Sequence, residues 1–122
     1  MVSEGVINTP RLSLKSAGRS DISIEVDVED LEIECIEDSD VIISGTAGNL
    51  RARTSGGSDI KGFDLLTNEA ELESSGGSDI RVHVVERLRA EASGGSDIRY
   101  RGNPEIISIK SSSSADIEKE RD

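Results

Sequence analysis

Hydrophobic and polar positions alternate along much of the chain with a period of two, the pattern of strands buried on one face. Leu31, Ile33 and Cys35 alternate with Glu32 and Glu34, and Leu50, Ala52 and Thr54 alternate with Arg51 and Arg53. Leu88, Ala90 and Ala92 repeat the arrangement around Arg89 and Glu91. A second kind of strand has Ile80, Val82 and Val84 inward and Arg81 and His83 outward. Between Ile60 and Leu66 the alternation fails, because Ile60, Gly62, Phe63, Leu65 and Leu66 do not all fall on one face. An extra residue there predicts a bulge or a longer corner.

The strands are separated by a recurrent corner. Ser-Gly-Gly-Ser-Asp-Ile occurs at 55–60, 75–80 and 93–98, and weaker copies end at Ile22, Val41 and Ile117. The six closing residues, Ile22, Val41, Ile60, Ile80, Ile98 and Ile117, lie 19, 19, 20, 18 and 19 apart. Leu12, Leu31, Leu50, Ala70, Leu88 and Ile107 keep the same spacing, each ten residues before its partner. Length variation is thus confined to one half of the repeat. Glycine permits the positive φ of a tight corner, and Ser and Asp hydrogen-bond the turn's backbone.

A unit of about 19 residues cannot close a core alone, so copies must stack. The predicted fold is all-β: a right-handed parallel β-helix, or β-solenoid, of about six coils with roughly 4.8 Å between layers. One domain spans 1–122, with coils at about 12–30, 31–49, 50–69, 70–87, 88–106 and 107–122, and 1–11 as an N-terminal cap or arm. This register superimposes Lys15, Glu34, Arg53, Glu73, Glu91 and Lys110, with Ser13, Glu32, Arg51, Glu71, Arg89 and Ser108 in a neighbouring column. Charge alternates down both columns except at Glu73 and Glu91, as favourable cross-strand pairing requires.

Composition narrows the function classes. Leu, Ile, Val and Phe total 31 of 122 residues, enough for a core, and Phe63 and Tyr100 are the only aromatics. The net charge of −11 disfavours nucleic acid and anionic membrane, which reward clustered cations. One cysteine excludes an intrachain disulfide, and one histidine excludes a multi-histidine metal site. Met1–Pro10 carries Glu4 and lacks a long apolar run, so it does not read as a signal peptide, and no stretch reads as a membrane helix.

With its Ser-Gly-Gly-Ser-Asp-Ile corners and Tyr100-Arg101-Gly102-Asn103-Pro104 after the last full copy, the chain resembles the putative auto-transporter adhesin, head GIN domain family over about residues 7–117. That bacterial family is of unknown function. The resemblance implies a right-handed parallel β-helix and an extracytoplasmic location, in the periplasm or on the cell surface. The family's label suggests a structural or adhesin-like role, and no cofactor is expected.

Two surface features invite a functional reading. Asp21, Asp40, Asp59, Asp79, Asp97 and Asp116 stack at one corner, and Asp59, Asp79 and Asp97 there are the candidate calcium ligands. Against that stands capping, in which each carboxylate accepts backbone N–H bonds from the corner; capping is preferred, and no metal is expected. Ser20, Ser39, Ser58, Ser78 and Ser96 form a companion hydroxyl ladder. The second feature is cationic: Lys61, Arg81 and Arg99 in one column and His83 and Arg101 in the next, a patch for an acidic glycan or a partner's carboxylates. A solvated face is the competing reading of the same residues.

Cys35 reads as a core filler among small inward residues, and Tyr100 as an inward side chain above Gly102. No catalytic triad, paired acids in a cleft or phosphate loop is present. Exposed aromatic rows and outward threonine rows, used by some sugar-binding and ice-binding solenoids, are absent. The expectation is therefore a non-enzymatic, adhesin-like rod that meets a glycan or protein surface ligand. The alternative is a scaffold that homo-oligomerises by end-to-end stacking, since coil ends expose unpaired backbone and layer residues.

Overall fold

The computed structural model describes residues 2–19, 21–111 and 115–119, and it is an all-β solenoid of about six turns without a helix among those residues. Five long strands each follow most of one coil: β1 (Val2–Ala17), β2 (Asp21–Ile36), β3 (Asp40–Ser55), β4 (Asp59–Ser74) and β5 (Asp79–Ala92). The next coil is divided into β6 (Asp97–Arg101) and β7 (Glu105–Ser111), both paired to β5, and β8 (Asp116–Lys119) pairs with β6. Pro104 lies in the gap between β6 and β7, where a missing N–H and a fixed φ suit an interruption of the ladder. Every pairing is parallel.

Register follows the repeat. Ile22, Val41, Ile60, Ile80, Ile98 and Ile117 stack in order, as do Asp21, Asp40, Asp59, Asp79, Asp97 and Asp116. Both charged columns form as expected, from Lys15 to Lys110 and from Ser13 to Ser108. The disturbed third repeat produces register shifts between Ile42 and Gly45 and between Gly62 and Leu66.

One expected partner moves. Ile106, not Ile107, lies opposite Leu88, and the register shifts before Arg89 meets Ser108. Two adjacent isoleucines offer the same apolar bulk, and the bulge here sets the first of them opposite Leu88, with both equally exposed. Residues 1–11, expected as a cap or arm, lie largely within β1, where Val6 to Thr9 pair with Glu25 to Val28.

The core is a set of aliphatic columns, with Val41, Ile60, Ile80 and Ile98 fully buried one above another. Each such side chain stabilises the rod by about 1.5–3 kcal/mol relative to exposure. Ser39, Ser58, Ser78 and Ser96 are also fully buried, beside the corner. All four hydroxyls donate to the carbonyl three residues back, Ser39 to Ile36 at 3.0 Å and Ser58 to Ser55, Ser78 to Ser75 and Ser96 to Ser93 at 2.7 Å each. The hydroxyl ladder expected from sequence thus runs inside the corner; Ser20, its first member, lies outside the described residues, as do Ser112–Ser114 of the last weak corner.

Candidate functional site

Asp59, Asp79 and Asp97 occupy successive rungs of the corner column, and Lys61, Arg81 and Arg99 occupy successive rungs two residues further on. Residues two apart in a strand face the same way, so an acidic ladder and a basic ladder lie side by side. Burial first, then the Asp79 and Asp40 carboxylates, push the Asp59 carboxyl above its usual range, while Lys61 and Arg81 pull it back. Lys61 and Arg81 therefore offset part of the repulsion felt at Asp59.

Among the described residues, serine hydroxyls close the corner, and no hydrogen bond joins the Asp59, Asp79 or Asp97 carboxylates to its backbone. No group of three His, Cys, Asp or Glu side chains among them is placed to hold a metal ion. A cleft between Asp79, Arg81, Asp97 and Arg99 has a volume of about 30 Å³, comparable to one water molecule's share of the liquid.

His83 and Arg101 stack in the adjoining column, with Leu66 on the other side of His83. The Arg101 guanidinium lies 4.3 Å from the centre of the Phe63 ring, a cation–π contact that ties the bulged coil to β6. Tyr100 packs partly buried against the core. Cys35 is fully buried in the column shared with Ser16, Thr54 and Ser74. Burial, followed by the Asp40, Asp59 and Glu34 charges, pushes its thiol up to about 11. A neutral, enclosed thiol is no nucleophile.

A second concavity lies along the other strand segment of the coil and shares no residue with the cationic patch. It is a groove of about 900 Å³ that crosses coil after coil. One wall is the column Arg11, Asp30, Asn49, Glu69 and Arg87; the other contains Glu32, Arg51, Glu71 and Arg89. The Leu12–Leu31–Leu50–Ala70–Leu88 column runs between them.

Both walls are laced by contacts between coils. Arg11 meets Asp30 at 3.5 Å, Arg87 meets Glu69 at 3.2 Å, and Arg51 meets Glu71 at 3.7 Å. Asn49 Nδ2 donates to Asp30 Oδ1 at 2.9 Å. Exposed pairs of this kind add at most about 1 kcal/mol each to stability.

Sequence reasoning identified the Glu32–Arg51–Glu71–Arg89 column as a register check and passed over its partner wall. The available signal was a polar residue immediately before each inward Leu or Ala, at Arg11, Asp30, Asn49, Glu69 and Arg87.

Comparison with known proteins agrees with this architecture. A family model described as putative auto-transporter adhesin, head GIN domain matches residues 1–104, and the chain belongs to that family. A crystal structure of a putative lipid binding protein from Parabacteroides distasonis superposes with a TM-score of 0.91 at 24% identity, over 98% of this chain and 49% of that one. A putative adhesin from Parabacteroides merdae gives 0.88 at 18% identity, over 98% of this chain and 50% of that one. A putative adhesin from Parabacteroides distasonis gives 0.86 at 19% identity, with the same coverages. At these identities the likeness shows the fold, and the chain spans about half the length of each. No curated protein matches the chain.

Proposed function

We propose that the chain is a non-catalytic, adhesin-like binding module of a bacterial extracytoplasmic protein, and that it meets its ligand along the longitudinal groove. The observation that carries this reading is the groove's construction: about 900 Å³ of concave surface whose walls are fixed by contacts between successive coils. A rigid trough on a stacked rod binds with little loss of its own conformational freedom. The family description, adhesin, agrees with a surface-contact role. Lipid is the ligand class named for one structural relative. An acyl chain favours an enclosed apolar cavity, whereas these groove walls are charged, so a lipid is not proposed here.

The test is retention of the protein on arrays of immobilised glycans and surface proteins, beside an Asn49→Ala/Arg51→Ala variant. Loss of retention in the variant supports the reading. Equal retention of both proteins refutes it.

A second reading, coil stacking between copies, has one observation in its favour. Ile106 and Ile109 stand opposite the buried Leu88 and Ala90 but are 43% and 41% exposed. They present an apolar layer that a further coil, of the same protein or of another copy, would cover. Sedimentation velocity across a concentration series tests it: growing assemblies that Ile109→Lys abolishes support stacking, and a monomer throughout refutes it.

A further inference from the structure

We infer that the groove takes an uncharged, linear polysaccharide lying parallel to the rod axis; this rests on the groove being the binding face and names the ligand class. Three properties lead there. The first is periodicity. Arg11 to Arg87 spans five consecutive coils, about 19 Å at one strand spacing per coil. Each coil offers polar wall groups at the same height, a pattern that suits a polymer with a short repeat better than a compact molecule.

The second is charge. Four arginines and four carboxylates line the groove, so its sum is zero on a chain of −11. Carboxylates line the second and fourth of these coils and arginines the first, third and fifth, so a polyanion or a polycation meets like charge at every other coil and neither is drawn along its length. The paired groups still expose donors and acceptors, since the Arg51 and Glu71 side chains are 69% and 58% exposed despite their contact. A sugar hydroxyl donates to a carboxylate and accepts from a guanidinium, and so bridges such a pair with no charge of its own.

The third property excludes an extended peptide as a competing polymer. Peptides that lie along sheets gain affinity by adding a strand to an open edge. Here β2, β3 and β4 are each paired on both sides, which leaves little backbone for a peptide to join. A polysaccharide needs no backbone ladder. No aromatic side chain lines the groove, so affinity per sugar is low and grows with chain length.

The experiment is titration of the full chain with β-1,4-linked glucose oligomers of increasing length, followed by NMR shifts and calorimetry, with hyaluronate and an uncharged extended peptide as comparators. The expected result is binding that strengthens with oligomer length up to the groove's span and changes little with salt. Arg51→Gln and Asn49→Ala should each weaken it by about fivefold to tenfold, the effect of one or two hydrogen bonds, with unaltered circular dichroism. Two results overturn the inference: no detectable binding by any neutral oligomer, or stronger and salt-sensitive binding of hyaluronate. Array retention that disappears in the groove variant, with every neutral oligomer silent, leaves the groove as binding face and removes only the ligand class.

Discussion

Gly45 is the position where coil stacking tolerates least, and Gly45→Ala is a direct test of it. The residue sits in the bulged part of β3 with φ +111°. A Cβ built there falls 1.9 Å from the Val26 carbonyl oxygen of β2 and 2.9 Å from its carbon. A carbon–oxygen contact needs roughly 3.3 Å, so the two coils must part locally by more than about 1 Å. Inter-coil hydrogen bonds measure 2.9 to 3.1 Å where they flank the corners, and a displacement of that size carries comparable bonds beyond useful length.

Losing about two of these bonds costs about 1–3 kcal/mol each, and the unfavourable φ adds about 1–3 kcal/mol, less whatever the bulge recovers by shifting. The sum lies at about 3–9 kcal/mol before that relief. Gly77→Ala is the control: its φ is also positive, at +76°, but nothing lies within 4 Å of the added carbon. It should cost only the left-handed penalty, about 1–2 kcal/mol. Urea unfolding followed by far-UV circular dichroism separates the two by about 1 M or more in midpoint. Equal midpoints, or a Gly45→Ala protein as stable as its parent, would mean that β2 and β3 are not stacked in this register.

Three further outcomes follow from the same geometry. Ser78→Ala removes a buried hydroxyl that donates to the Ser75 carbonyl and lies 2.7 Å from Ser74 Oγ and 2.9 Å from Thr54 Oγ1. It should cost about 1–3 kcal/mol in urea unfolding, and a loss under about 0.5 kcal/mol would show that the corner does not rely on it. Asp59, with its carboxyl raised in the folded state, binds a proton more tightly folded than unfolded. Its charge therefore weakens the fold above the raised pKa, and that penalty is relieved as pH falls through it toward the ordinary carboxylate range. Asp59→Asn should raise the urea midpoint at neutral pH and reduce the gain on mild acidification; a lower midpoint at neutral pH refutes this. Cys35, buried and with its thiol at about 11, should resist a thiol reagent at neutral pH and react on unfolding in urea. Rapid labelling of the native protein would place it outside the core.

Most of the architecture was legible because stacking imposes the same demand at every coil. A one-residue slip would send Leu31, Ile33 and Cys35 to the surface, so period-two alternation and repeat length together specify register. What escaped were local choices between equivalents. Ile106 and Ile107 offer the same apolar side chain, and no pattern distinguishes which stands opposite Leu88. Ser58 and Asp59 both have oxygens suited to closing the corner, but strand alternation puts the serine inside and the aspartate outward. The groove was harder to see because concavity depends on where the coil bends, and side-chain alternation does not encode that bend.

Vertical stacking also constrains what such a rod can use for recognition. A column of like charges places them about 4.8 Å apart down the molecule, so a stable column alternates in sign or is offset from the side. The groove walls take the first course, with Arg51 against Glu71 and Arg87 against Glu69. The corner takes the second, with Lys61, Arg81 and Arg99 beside Asp59, Asp79 and Asp97. The groove walls sum to zero, whereas the corner, with six stacked aspartates against three cations, stays acidic. Long-range attraction of a charged ligand is therefore a weak means of recognition for the groove, and the available means there is shape joined to evenly spaced hydrogen-bonding pairs. The cationic patch and the groove differ on this point: the patch forms a cleft of about 30 Å³, whereas the groove continues across the coils at about 900 Å³. Concavity, more than charge, directs the functional reading to the groove.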